Sequence, residues 1–284
     1  MATLLKGAEA AKALTEKLTS RTEELKAKGV EPCLAIVRVG ERDDDLSYER
    51  GAMKRCEKIG IKVKNVVLPL EITQEELIAE IEKINADDSI HGVLLFRPLP
   101  KHIDDEAVRK SLAPAKDMDG ITDGSLGAVY AGTKDGYAPC TAASCVEILK
   151  HYDIPVSGKR VVVIGRSLVI GKPVSMLLLA ENATVTICHS RSQNLAEICR
   201  EADILVVAAG KAGMVTKDFV RQGQTVLDVG IHVDADGNIC GDTVFAEVEP
   251  IVDMITPVPG GVGSVTTAIL ASHVVEAAEK TLLG

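Results

Sequence analysis

Tryptophan is absent from this chain, and tyrosine and phenylalanine together supply seven of its 284 residues, so its cores must be built from aliphatic side chains. Positive charge is also in short supply. Lysine and arginine number 32 against 41 aspartates and glutamates, a formal net charge of −9. Affinity for a phosphate backbone comes mainly from clustered Lys and Arg, which argues against nucleic acid as a partner and favours small-molecule chemistry. The seven cysteines, at positions 33, 56, 140, 145, 188, 199 and 240, are odd in number and include no C-x-x-C pair. Neither a disulfide framework nor a zinc knuckle is encoded, no metal site is expected, and a reducing cytoplasm is the compartment that fits. No run approaches the roughly 18 apolar residues of a membrane helix. Lys6, Glu9 and Lys12 interrupt the apolar residues of the N-terminus, so no secretory core is expected there.

What is present is ordinary globular composition, 46% hydrophobic and 26% charged, which excludes long disorder and collagen. At roughly 100 to 200 residues per domain, the length predicts two domains. Leu5, Leu14, Leu18 and Leu25 recur on one side of a helix within the first thirty residues, with Gly29 as its stop. Apolar runs at 33–39, 61–68 and 90–95 read as strands, separated by helical stretches at 47–59 and 73–85. Between Lys101 and Pro139 the pattern loosens, punctuated by Pro114 and by glycines at 120, 124, 127, 132 and 136, and a cleft-lining connection is expected. A second series follows a helix at 141–151. Strands are expected at 160–164, 183–188, 203–208, 225–229 and 252–256, with helices at 171–181 and 194–200 and a last helix from about Val262 to Leu282. Strands alternating with helices imply parallel pairing through crossovers, so both halves are α/β.

Residues 161–173 read V-V-V-I-G-R-S-L-V-I-G-K-P, which puts Gly165 directly after a buried strand and Gly171 at the start of a helix. Glycines there let the backbone approach a diphosphate, and the helix N-terminus offers unpaired N–H donors. The spacing is not the fingerprint G-x-G-x-x-G, so taken alone the segment is weak evidence, and an ordinary tight turn is the other reading. The next strand ends in Cys188-His189-Ser190-Arg191, where a dinucleotide-binding domain meets the adenosine ribose. An enzyme for NAD commonly has Asp or Glu there, whereas hydroxyl and guanidinium groups suit the 2′-phosphate of NADP. Ser190, Arg191 and Arg166 therefore favour NADP, the alternative being that both arginines are solvated surface.

Gly165-Arg166-Ser167 through Gly171-x-Pro173, Asp228-Val229-Gly230-Ile231, and Thr256-Pro257-Val258-Pro259-Gly260-Gly261-Val262-Gly263 together resemble the methylenetetrahydrofolate dehydrogenase/cyclohydrolase family. The likeness continues through Ser47-Tyr48, Pro98-Leu99-Pro100 and Lys116-Asp117-Met118-Asp119-Gly120, and covers nearly the whole chain. It implies an N-terminal α/β folate-binding domain (1–140, with the last helix, 265–284, packing back on it) and a C-terminal Rossmann-like parallel-sheet domain (141–264). A cleft is implied between them, with a homodimer built through the nucleotide domains. Enzymes of the family oxidise 5,10-methylenetetrahydrofolate with NADP, and most also hydrolyse the 5,10-methenyl product to 10-formyltetrahydrofolate. Carried over by motif, Tyr48 stacks on the folate and Asp119 hydrogen-bonds the pterin. Gly165, Arg166, Ser167 and Gly171 hold the cofactor phosphates with Ser190 and Arg191 at the ribose. Gly230 and Ile231 border the nicotinamide, and Pro259, Gly260 and Gly261 shape the substrate wall.

The chain departs from the family where proton transfer is concerned. The family's first active-site helix carries Ser-x-x-Tyr-x-x-x-Lys, but with the register fixed by Tyr48 and by Gly60-Ile61, the lysine position is Ala52. The usual partner, the glutamine of Gln-Leu-Pro-Leu-Pro, is Phe96. Lys54 lies about 200° around the helix from Ala52, whereas Glu49 and Arg55 share its side. Two smaller departures, Pro139-Cys140-Thr141-Ala142-Ala143-Ser144 for Pro-x-Thr-Pro-x-Gly and Ser264-Val265-Thr266 for Pro-Met-Thr, lie beside the folate pocket. Hydride leaves a carbon flanked by two nitrogens without any proton moving, but hydrolysis of the methenyl cation needs general acid/base help. The expected function is thus NADP-dependent oxidation of methylenetetrahydrofolate with weak or absent cyclohydrolase activity. One alternative is the bifunctional enzyme with Arg50, Lys54 or Arg97 as proton shuttle. The other is a folate- or nucleotide-binding regulator without turnover.

Overall fold

The computed structural model describes residues 1–234 and 236–282. A short strand β1 (Thr3–Leu4) and helix α1 (Gly7–Ala27) open the chain, followed by β2 (Cys33–Val39), α2 (Asp43–Ile59), β3 (Lys62–Leu68), α3 (Gln74–Ala86) and β4 (Gly92–Leu95). Helices α4 (Asp105–Ser111), α5 (Asp123–Ala131) and α6 (Cys140–His151) come next. Then follow β5 (Arg160–Ile164), α7 (Gly171–Ala180), β6 (Thr184–Cys188), α8 (Leu195–Arg200), β7 (Ile204–Val207) and β8 (Thr225–Asp228). A hairpin of β9 (His232–Val233) and β10 (Ile239–Cys240), the one-turn α9 (Phe245–Val248), β11 (Met254–Ile255) and α10 (Thr266–Lys280) complete the chain.

Two compact units result. The first comprises residues 12–140 and 267–284, of which 283 and 284, the end of the expected last helix, lie outside the described residues. Its sheet is parallel, in the order β3-β2-β4. Ala35, Val37, Val39, Val93 and Leu95 pack with Leu77, Ile81, Ile84 and Val108 of α3 and α4 in one aliphatic core, as a chain poor in aromatics requires. Alternation along β2 sends Leu34, Ile36 and Arg38 to the opposite face. Helix α2 begins with three aspartates and has Lys58 in its last turn, charges that suit the helix dipole. Its buried stripe is Asp45, Glu49, Ala52, Cys56 and Ile59.

The segment 101–139 is more ordered than its sequence suggests. It contains α4, a 3-10 turn at Pro114–Lys116 and α5. Side chains capping the helices make the difference: Asp104 accepts from the Glu106 and Ala107 amides, and Thr122 from the Ser125 amide. Such short helices, one of them holding two glycines, carry no periodic signal.

The second unit comprises residues 1–11 and 141–266. Its six strands are all parallel, ordered β1-β11-β8-β7-β5-β6, and Val162, Ile164, Leu205, Val207, Val226 and Ile255 anchor an aliphatic core. The expected domain of residues 1–140 needs correction here. Strand β1 pairs with β11 and Leu5 is fully buried, so the first eleven residues go with the six-stranded unit.

Among the described residues, no helix is long and apolar enough to cross a membrane, no group of three or more His, Cys, Asp or Glu side chains is arranged to hold a metal, and all seven cysteines are free.

Candidate active site

In the first unit, the expected folate residues lie at the carboxyl ends of the strands. The Phe96 amide donates to the Val37 carbonyl (2.9 Å), which extends the β2–β4 ladder by one residue and sets Phe96 beside Arg38. The Tyr48 ring of α2 meets the Phe96 ring edge to face, centroids 6.0 Å apart. Ala52, where a lysine is expected from the resemblance, is fully buried on the next turn, and Glu49 on the same stripe accepts from Arg38 Nε through Oε2 at 2.9 Å. Arg38 Nη1 also donates to the Gly40 carbonyl at 2.5 Å. The three cations weighed as replacements fare differently: Arg50 and Lys54 are exposed, and Arg97 grips the Asp105 carboxylate with Nε (2.5 Å) and Nη2.

The Asp117–Thr122 loop is fixed from several sides. Asp117 is the carboxylate that organises the turn, accepting from the Ile121 (3.0 Å) and Thr122 (2.8 Å) amides, while Arg109 donates to the Ile121 carbonyl at 2.8 Å. The Met118 carbonyl accepts from His273 Nδ1 at 2.8 Å, so that nitrogen carries the proton. Burial holds His273 below the ordinary histidine range. Asp119 is left half-buried, with Oδ1 accepting from the Cys140 amide at 3.1 Å. Burial pushes its carboxyl above the ordinary aspartate range, the Cys140 amide and thiol oppose this, and Asp117 and Arg97 act in opposite directions. Asp105 is held low by its hydrogen bonds from Arg97, against the effect of burial. The rim beside Asp119 is therefore an ordered network of charges.

In the second unit, the chain runs from β5 to β6 on one side and returns to β7 on the other, which makes the carboxyl end of β5 a topological switch point, where open α/β sheets bind ligands. Gly165 lies there with φ +123, and a Cβ on it would sit 2.1 Å from the Ala208 carbonyl oxygen; one on Gly171 would sit 2.2 Å from the Gly165 oxygen. Both contacts are with backbone, so the two glycines allow a closely packed main-chain cradle at the start of α7, where a helix N-terminus offers its amides to a diphosphate. Ser167 Oγ accepts from the Ile170 amide (3.1 Å), and Arg166 is exposed beside it. The Gly165 amide donates to the Cys188 carbonyl at 2.9 Å, so Arg166 leaves from a strand end adjoining the one that carries exposed Ser190 and Arg191. The cradle and the neighbouring cations fit a phosphorylated dinucleotide. Pro259 and Gly260 are exposed and Gly261 is buried, their loop anchored by the Gly7 amide on the Gly260 carbonyl (2.9 Å).

A buried scaffold under Gly230 and Ile231 escaped the motif reading. Asp228 accepts from the Gly230 (3.0 Å), Asp242 (3.1 Å) and Thr243 (2.9 Å) amides. Burial raises its carboxyl above the ordinary range, and those amides oppose the rise. Asp242, fully buried, accepts from the Gly210 (3.0 Å) and Lys211 (2.8 Å) amides and from His232 Nε2 (2.7 Å). Two carboxylates thus tie the loops after β7 and β8 together and leave Ile231 mostly exposed. No local pattern marks Asp242, which gains its role only when the hairpin folds back.

Comparison with known proteins identifies the family and the fold. A model of the tetrahydrofolate dehydrogenase/cyclohydrolase catalytic domain matches residues 5–119, and the model of that family's NAD(P)-binding domain matches 139–282. The chain is 55% identical to Bifunctional protein FolD of Carboxydothermus hydrogenoformans, over 98% of both chains. It superimposes with a TM-score of 0.95 on the bifunctional FolD methylenetetrahydrofolate dehydrogenase/cyclohydrolase of Campylobacter jejuni, at 39% identity over 99% of this chain and 100% of that one. The Trypanosoma brucei dehydrogenase-cyclohydrolase, solved with NADP and an inhibitor, gives 0.91 at 34% identity over 100% and 99%. This chain, with its glycine cradle and its folded-in Asp119 loop, belongs to the tetrahydrofolate dehydrogenase/cyclohydrolase family.

Proposed function

We propose that the chain oxidises 5,10-methylenetetrahydrofolate to the 5,10-methenyl cation with NADP as the hydride acceptor. The observation that carries the proposal is the cradle at Gly165 and Gly171 beside exposed Arg166. Gly165, Ser167 and Gly171 take the diphosphate in this reading. Arg166, Ser190 and Arg191 take the ribose and its 2′-phosphate, a choice supported by the NADP held in the Trypanosoma brucei relative. Gly230 and Ile231, stiffened by Asp228 and Asp242, border the nicotinamide. On the folate side, Asp119 accepts pterin N–H donors, Tyr48 stacks on the folate, and Pro259, Gly260 and Gly261 form a wall. Bound NADP supplies the electron-pair acceptor. The protein's task in this step is orientation, because two nitrogen lone pairs stabilise the carbon that loses hydride.

The subsequent hydrolysis admits two readings. Ala52 and Phe96, which remove the usual lysine and glutamine, favour weak or absent cyclohydrolase activity. Full-length similarity to relatives named bifunctional favours both activities, and this is the better supported. General acid/base catalysis needs a group of suitable pKa within reach of the reacting atoms, and no rule of chemistry makes that group a lysine. A homodimer is also proposed, supported by exposed apolar Val233 and Ile239 on the β9–β10 hairpin. Seven free thiols support a cytoplasmic location.

The direct test supplies purified protein with methylenetetrahydrofolate and NADP or NAD in turn, follows dinucleotide reduction, and identifies the folate product. NADP reduction faster than NAD reduction is expected. Binding of both ligands without reduction would instead make the protein a regulator.

A further inference from the structure

Hydrolysis on a site whose expected lysine position is Ala52 calls for another proton carrier, and the buried stripe of α2 holds a carboxylate beside that position. Glu49 lies three residues before Ala52 on that stripe and directly after Tyr48, whose ring meets Phe96. Its partner Arg38 adjoins Phe96 in register, one residue beyond the Val37–Leu95 pair. The ion pair is largely desolvated, with 10% and 8% of the two side chains exposed. Only one carboxylate oxygen is committed. Oε2 accepts from Arg38, whereas Oε1 takes no hydrogen bond from any described residue and is not sealed from solvent.

The other candidates are less suited. Arg50 and Lys54 are exposed, and Arg97 is a guanidinium, which stays protonated, clamped on Asp105. Burial pushes the Cys56 thiol up to about 12, too high for a base near neutrality. Asp45 lies two turns from Ala52, in the first turn of α2. Asp119 is taken by Cys140 and, in the proposed pose, by the pterin.

We propose that Glu49 is the proton-transfer residue for hydrolysis of the methenyl cation and that Arg38 is its positioning residue. This rests on the bifunctional reading above. Water oxygen bonds to the cationic carbon between N5 and N10, and one water proton passes to the Glu49 carboxylate, leaving a neutral carbinolamine. The carbon–N5 bond then breaks as N5 takes that proton back from Glu49. The carbinol hydroxyl loses its proton to solvent and becomes the formyl carbonyl. The balance is methenyl cation plus water giving 10-formyltetrahydrofolate plus one proton, with no oxidation or reduction.

Glu49→Gln keeps the side-chain shape and removes the proton acceptor. With hydrolysis followed on methenyltetrahydrofolate, spontaneous decay subtracted, and NADP reduction followed separately on methylenetetrahydrofolate, the ratio of the two rates is expected to fall by about 100-fold or more. Glu49→Asp should recover part of the loss. The acid limb of the hydrolysis pH profile should persist in Glu49→Asp and in Arg38→Lys but vanish in Glu49→Gln. The other charges around the pair are Glu41, 3.8 Å from Arg38, and Asp45, which feels Arg38 and Arg42; neither is altered by these substitutions. Hydrolysis in Glu49→Gln within about threefold of wild type would overturn the proposal, as would equal loss of both activities together with a lowered melting temperature, the mark of a purely structural ion pair. A wild-type protein that reduces NADP but gives no enzyme-dependent hydrolysis would remove the bifunctional reading and this proposal with it, leaving the dehydrogenase intact.

Discussion

At position 165 a single methyl group has nowhere to go. It would lie 2.1 Å from the Ala208 carbonyl oxygen, on a backbone with φ +123, so Gly165→Ala must both strain its own residue and spread the ends of β5 and β7. Together these cost about 2–4 kcal/mol, and the cradle is deformed as well. Urea unfolding of Gly165→Ala should show that loss, and titration with NADPH should show binding weakened at least about tenfold, since 1.4 kcal/mol of distortion suffices for that. Binding at wild-type strength would remove the cradle from the cofactor site. Gly165 was legible in the sequence because a glycine directly after a β-branched run has a local meaning. Asp228 was legible only as part of a motif, and Asp242 not at all, because the amides it serves, at Gly210 and Lys211, are about thirty residues away in sequence. The Arg38–Glu49 pair was half legible: helical geometry put Glu49 on Ala52's side, but only the strand register brings Arg38 to it.

Helices α1 and α10 illustrate how an element is held by charge as well as by its apolar stripe. Arg21 Nε donates to Glu279 Oε1 at 2.8 Å and Nη2 to Oε2 at 2.5 Å. The hydrogen bonds from Arg21 hold the Glu279 carboxyl below the ordinary glutamate range, with burial opposing. A depressed carboxyl stabilises the fold above its unfolded pKa, and that contribution disappears as pH falls through the folded value. Because both groups are about one-third exposed, solvent screening limits the pair to about 0.5–1 kcal/mol near neutrality. Glu279→Gln should therefore cost about that much at pH 7 and nothing well below pH 4, narrowing the stability difference as the solution is acidified. A difference that stays constant with pH would mean that the helix contact, and not the charge, carries the effect. Helix α1 announces itself through Leu14, Leu18 and Leu25, whereas α4 and α5 are stabilised by caps and by tertiary bonds such as that from Arg109 to the Ile121 carbonyl, which leave no period to read. Strands β1 and β11, two residues each, exist only because each finds a partner far away in the chain.

For the whole molecule, the division into units does not follow a single cut in the chain. The boundaries fall after Ala11, Cys140 and Thr266, inside α1, α6 and α10, and the N-terminal residues complete the six-stranded sheet at its edge. Leu5 is fully buried, and its amide donates to the Ile255 carbonyl at 2.8 Å, so its backbone is bonded into a unit whose remaining chain begins more than a hundred residues later. Leu5→Ala should cost about 2–5 kcal/mol, and the loss should be local to one unit. Hydrogen exchange is the measurement that reads this: amides of β5, β7, β8 and β11 should lose protection while those of β2 and β4 keep theirs, because local opening follows cooperative units. Equal loss in both sheets would mean that the two units unfold as one, and the N-terminal strand would then matter as a clasp on the whole chain and not as the sixth strand of one sheet.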